Sequence, residues 1–304
     1  MVTMDVLTQA QRRSAHQRSE LIEPIRRDPW LGIALISLGM GLIANSLLGP
    51  LIADAIDYPL SESLLNQTIG LEAVSLLLVA PLCIFSGVLA IRGHATAPLV
   101  AFGPAAYAAY MFLQYVIGPE YRYYPGVLPL QLSLFVLGAG IAVTAWAAVD
   151  RERLPRMARG SERRYGVLLM AFAFFIVSRY LPALSAAIHG EPLAAEFRQD
   201  VSMYWSILLL DLGIVVPATI STAVALIRGA VWGRKALYAV FGWFALVPPS
   251  VAAMAIVMVI KDDPNASAVQ AIVLAVTALV FAALTVRLYR PLFGRHADEA
   301  EAIS

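Results

Sequence analysis

The sequence predicts an all-α fold, a polytopic transmembrane helical bundle of eight spans, on three observations. Of 304 residues, 60% are hydrophobic and only 14% charged, where soluble domains run at about 45–50% and about 25%. A mean hydropathy of +0.73 leaves more apolar surface than a wet exterior can tolerate, so part of it must face lipid. Apolar runs of about 20 residues, the length that crosses a bilayer as a helix, recur eight times, and the basic residues gather between them in a biased way.

The chain begins with a polar tail, residues 1-29, holding Arg12, Arg13, Arg18, Arg26 and Arg27. It lacks the short apolar core and small-residue cleavage site of a secretory signal, so it is expected to be retained as a cytoplasmic segment. Spans at 30-52, 71-91, 97-118 and 127-149 make a first four-helix unit, 30-149. A basic linker, 150-164, carries six arginines, among them Arg151, Arg153 and Arg159. Spans at 165-187, 204-227, 236-260 and 266-288 make a second unit, 165-288, and a tail, 289-304, closes the chain.

Orientation follows from the Lys/Arg bias of short loops. With the N-terminus inside, 18 of the 22 basic residues lie on the cytoplasmic side. Arg122, Arg179, Arg198 and Lys261 are the remaining four. Both termini are therefore expected in the cytoplasm. The opposite loops are acidic, with Asp54, Asp57, Glu120, Glu191, Glu196, Asp200, Asp262 and Asp263. Twenty of the basic residues are Arg and two are Lys, a usage that reads as a GC-rich bacterial genome and places the protein in a bacterial plasma (inner) membrane.

The second unit echoes the first. Pro81, Arg92 and Gly93 recur as Pro217, Arg228 and Gly229, each displaced by 136 residues; Phe102-Gly103, Pro125 and Gln131 recur as Phe241-Gly242, Pro264 and Gln270, displaced by 139. Four spans per unit keep both running the same way, so the expectation is a parallel 4+4 repeat with a pseudo-twofold axis along the membrane normal. Convergent bilayer composition is the competing explanation.

Ionisable residues inside spans cost about 2.5–3.5 kcal/mol on insertion scales, so they face the bundle interior and take partners. Glu72 is expected at the outer start of span 2, hydrated. Arg179 and Asp211 fall at matching depths in the outer halves of consecutive spans, which predicts an Arg179-Asp211 ion pair. It is either a ligand-binding or gating element or a structural staple between two helices. Tyr107, Tyr110, Gln114 and Tyr121 recur on one helix face, and Gln131 and Gln270 start spans 4 and 8 at similar depth; with the charged pair they form the candidate ligand-binding set. Asn45 shares a face with Gly41 and Gly49, a pattern of close helix packing. Pro248 and Pro249, present in the second unit alone, are the candidate hinge.

Catalytic chemistry lacks its parts. His16, His94, His189 and His296 form no metal-ligand pair on a helix face, the intramembrane serines have no His or Lys base, and the single Cys83 supports neither disulfide nor metal cluster. No catalytic residue, metal site or cofactor is expected, and a net charge of +1 gives no field for nucleic acid. Two sequons, Asn66-Gln67-Thr68 and Asn265-Ala266-Ser267, fall on the outer side and are expected to be unmodified in a bacterium. The function these features favour is a small-solute or ion transporter, permease-like, with a polar cleft opening outward. Its partners are the lipid bilayer, a small polar or anionic solute and, compatibly, further copies or subunits in an oligomer. The alternative is a non-transporting membrane component such as a sensor, assembly factor or complex subunit.

Overall fold

A computed structural model of the chain describes residues 28–152, 154–193 and 197–301, with side chains as far as Phe293. The N-terminal arginines, Arg153, Glu196 and the His296 side chain lie outside the described residues. Among the described residues every regular element is a helix. Eight are long and apolar enough to cross a membrane: α1 Pro29–Leu48, α2 Glu62–Ile91, α3 Ala97–Ile117, α4 Leu128–Ala148, α5 Arg159–His189, α6 Val201–Arg228, α7 Gly233–Ile260 and α8 Ala268–Phe293. The described parts of the loops at 92–96, 149–152 with 154–158, and 229–232 share one end of the bundle, the basic end, and those at 49–61, 118–127, 190–193 with 197–200, and 261–267 share the other, the acidic end.

Each expected span is met by one helix, but several helices run past the apolar segment. The clearest extension is α2, which starts at Glu62 rather than near Leu71. Ser61 caps it by accepting the Leu64 N–H at 3.4 Å. Its polar first turns are satisfied inside the protein, because the Asn66 amide and the Ser63 hydroxyl both donate to Asp263, at 3.0 and 3.2 Å. Asn66 is thus buried within a helix, and its sequon is not presented at the surface.

Small residues set how closely the helices approach, as expected where lipid supplies no hydrophobic drive between them. A Cβ added to Gly32 of α1 would sit 2.7 Å from the Gly87 carbonyl oxygen of α2, and one added to Gly103 of α3 would sit 2.6 Å from the Gly242 carbonyl oxygen of α7. Gly70 of α2 meets the Ala253 and Met254 backbone of α7 in the same way. At the basic end, Arg159 donates to the Leu226 and Ile227 carbonyls, each at 2.7 Å, and so caps α6.

Three helices depart from regular geometry, each beside proline. In α2 and α6 the segments Ser75–Val79 and Asp211–Val215 are π-helical, with Ala80 N–H donating to Ser75 O and Val216 N–H to Asp211 O. Pro81 and Pro217 follow directly. A proline cannot donate and crowds the carbonyl four residues back, and the widened turn relieves that conflict. In α7 the helix breaks at Ala245–Leu246. Pro248 and Pro249 leave the carbonyls of Phe244 and Ala245 without helical donors.

That break decides the shape of the bundle. The basic half of α7 packs on α6, α3 and α8, whereas its acidic half, Val247–Ile260, stays on α8 but leaves α6 and α3 for α2. In the first half α1 and α4 pack along one another. Their positional counterparts α5 and α8 meet where Phe172 lies against Phe281, 4.4 Å between ring centroids. Space is left between them toward the acidic end.

Candidate functional site

That space is a cavity of about 1040 Å³ bounded by α2, α3, α5, α6, α7 and α8. Its floor is aromatic: Phe172 meets Phe244 edge-on at 4.8 Å between centroids, and Phe281 packs on both. Its mouth at the acidic end is polar, lined by Glu191, Asn265 and Gln270.

Asp211 lies in the cavity wall as the first residue of the α6 π-helical turn. Its carboxylate accepts hydrogen bonds from two phenols. Tyr110 of α3 donates to Oδ1 at 2.7 Å, and Tyr180 of α5 donates to Oδ2 through a short contact. Three helices therefore converge on one carboxylate, far along the spans from either end.

The expected Arg179-Asp211 ion pair is not formed. Arg179 lines the same cavity and lies close enough to act on Asp211 electrostatically, but among the described residues no carboxylate comes within 4.0 Å of its guanidinium. The reason is helical geometry. Adjacent residues point about 100° apart, and Tyr180 takes the direction that faces α6 while Arg179 stays exposed.

The other site residues separate into two places. Tyr107 and Gln114 line the cavity with Tyr110, as their shared face implied. The Tyr107 hydroxyl lies 3.3 Å from that of Ser75 and 2.8 Å from that of Ser250, joining α2, α3 and α7. Ser75 opens the other π-helical turn. Pro248 lines the wall and Gln270 the mouth, while Pro249 does not border the cavity.

Gln131 and Tyr121 belong elsewhere. Helix α3 stops at Ile117, so Tyr121 leaves the stripe and turns toward Gln131. Gln131 is wholly buried within the first four helices, its amide donating to the Tyr58 hydroxyl at 3.2 Å. Burial pushes the Tyr121 phenol up to about 12. Glu72 is also corrected: it is wholly buried in mid-helix, not hydrated at a helix start, because α2 begins ten residues before it. Asn45, read as a packing residue, is fully buried beside the same group.

Tyr180, Ser75 and Ser250 are the site residues that sequence patterning passed over. Only Tyr180 carried a usable signal, as a polar ring inside an apolar span next to Arg179. Among the described residues no three His, Cys, Asp or Glu side chains gather as metal ligands. No family model, curated protein or solved structure matches this chain.

Proposed function

We propose that this protein is a permease-like carrier of a small polar or anionic solute, and that the cavity holding Asp211 is its binding site. One observation carries the reading: a cavity open toward one end of the bundle reaches an intramembrane carboxylate held by two tyrosines, beside an arginine with no ion-pair partner among the described residues. Charges within a membrane bundle that face a cavity mark solute pathways. Arg179 is available to an anionic group of the solute, while Asp211, Tyr110 and Tyr180 supply polar contacts deeper in. The aromatic floor at Phe172, Phe244 and Phe281 closes the path toward the basic end, and the Pro248 break is the hinge about which α7 would move.

The 18-to-4 distribution of basic residues supports a bacterial plasma membrane protein with both termini inside and the cavity facing outward. A parallel duplication accounts for two further features. The π-helical turns at Ser75 and Asp211 stand 136 residues apart, as Pro81 and Pro217 do. Gly103 meets Gly242, its own counterpart in the repeat, and residues on a twofold axis contact their own equivalents.

The reading is tested by thermal unfolding of the purified protein against panels of anionic, zwitterionic and cationic solutes. Stabilisation by one or more small solutes is expected, weakened in Arg179→Gln and in Asp211→Asn. A panel that stabilises nothing, or stabilisation that survives both substitutions, refutes the assignment.

A further inference from the structure

Among the described residues, the buried side-chain polar atoms that lack a hydrogen-bond partner fall in one place, and it is not the cavity. They are Asn45 Oδ1 and Nδ2, Glu72 Oε1, Gln131 Oε1 and the hydroxyls of Tyr115 and Tyr121. They come from α1, α2, α4, α3 and the 118–127 loop. Tyr58, from the 49–61 loop, covers them: its ring stacks on Tyr115 at 5.2 Å, its hydroxyl accepts the Gln131 amide, and it lies beside Asn45 and Glu72. Gly49 has no Cβ where the Glu72 carboxylate sits.

Asn45, Glu72 and Gln131 are each 0% exposed. The one hydrogen bond to the Glu72 carboxylate comes from the Leu51 N–H at 3.3 Å, on Oε2, and among the described residues no Lys, Arg or His pairs with it. A carboxylate so buried demands a compensating charge or a proton. The six atoms gather around Tyr58 without a satisfied hydrogen bond of their own, and a bound water or cation is the kind of species that meets several such atoms at once. A single proton on Glu72 would satisfy one acceptor and leave the amide oxygens of Asn45 and Gln131 as they are. A cation engages all three at once, together with the phenol oxygens.

We propose that this chamber is a binding site for a small monovalent cation of the sodium class. Five of the six atoms are oxygens, the donor type of hard cations, with no thiolate or imidazole to favour a transition metal; the sixth, Asn45 Nδ2, is a hydrogen-bond donor and is not a ligand. The oxygens bring a single carboxylate, which balances one positive charge. The exposed Asp54 and Asp57 on the covering loop supply a negative approach from the acidic end. The site shares no residue with the Asp211 cavity and does not depend on what that cavity carries.

The test is thermal unfolding of the purified full chain in N-methyl-D-glucamine chloride, replaced at constant ionic strength by sodium, lithium or potassium chloride, alongside binding of radioactive sodium. A saturable rise in Tm with sodium is expected, absent in Glu72→Gln, weakened in Gln131→Met and retained in Asp211→Asn. Gln131→Met keeps side-chain volume and serves if the Glu72 variant fails to fold. The site assignment is overturned if no alkali cation raises Tm above the organic cation. It is equally overturned if Tm responds to pH alone, which marks a proton site, if the sodium response persists in Glu72→Gln, or if it is undiminished in Gln131→Met.

Discussion

Two phenols hold the Asp211 carboxylate, and hydrogen bonds to charged groups are worth about 1.5–3 kcal/mol each. Tyr180→Phe is therefore expected to lower stability by about that amount. In a double-mutant cycle with Asp211→Asn, the two changes should couple by about 0.5–3 kcal/mol. Zero coupling in denaturant unfolding would mean the contact contributes nothing. Arg179 behaves differently because it is exposed and has no ion-pair partner among the described residues. Arg179→Gln is expected to leave unfolding within about 0.5 kcal/mol of the parent, as surface changes usually do, while weakening solute binding. This contrast separates a residue that holds helices together from one kept for a ligand.

Between elements, the closest approaches are made by backbone and not by side chains. Gly103→Ala would drive a methyl against the Gly242 carbonyl, and overpacking of this kind costs about 1–3 kcal/mol. Gly126→Ala, with open space around it, serves as the control and should unfold like the parent. The turn between α7 and α8 is tied to α2 through Asp263. Burial pulls its carboxyl upward, but the Asn66 amide, the Asn265 backbone N–H and the Ser63 hydroxyl outweigh that and hold it below the usual carboxylate range. A lowered folded-state value means the stabilisation is complete above the unfolded-state value near about 3.9 and is lost as pH falls through the lowered one. Melting temperature should thus drop in acid below about pH 4, and Asp263→Asn should be less stable at neutral pH with a flatter acid limb. An unchanged acid limb would remove Asp263 from the explanation.

For the molecule as a whole, the eight spans were legible because a bilayer demands long apolar runs, and such runs stand out in any sequence. Helix ends were less so. The segment from Ser61 to Thr68 reads as a polar loop, and as helix its polar side chains are met by Asp263, some 200 residues away. The same limit applied to the site. Asp211, Tyr110, Tyr107 and Gln114 were recognisable as polar groups inside spans, but choosing between Arg179 and its neighbour Tyr180 required the rotation of α5 about its axis, which no apolar pattern specifies. Gln131 was grouped with them by depth alone, and depth does not say which side of a helix faces which chamber. Prolines marked the three backbone irregularities but were not sufficient for one, because Pro104, an equal candidate for a break, and Pro182 lie inside helices that run on.

The break at Ala245–Leu246 links these scales, because it carries the acidic half of α7 onto α2 and opens the cavity. Replacing Pro248 and Pro249 with alanine restores two helical donors and is expected to narrow the space around Gln114. The measurement to make is the labelling of Gln114→Cys, in a Cys83→Ser background, by a membrane-impermeant maleimide in sealed vesicles of each orientation. Rapid modification from the acidic end, slow modification from the basic end, and slowing by the Pro248→Ala/Pro249→Ala pair are the predicted results. Labelling that is absent from the acidic end, or equally fast from both, would contradict a cavity that opens to one side and reaches the Asp211 site.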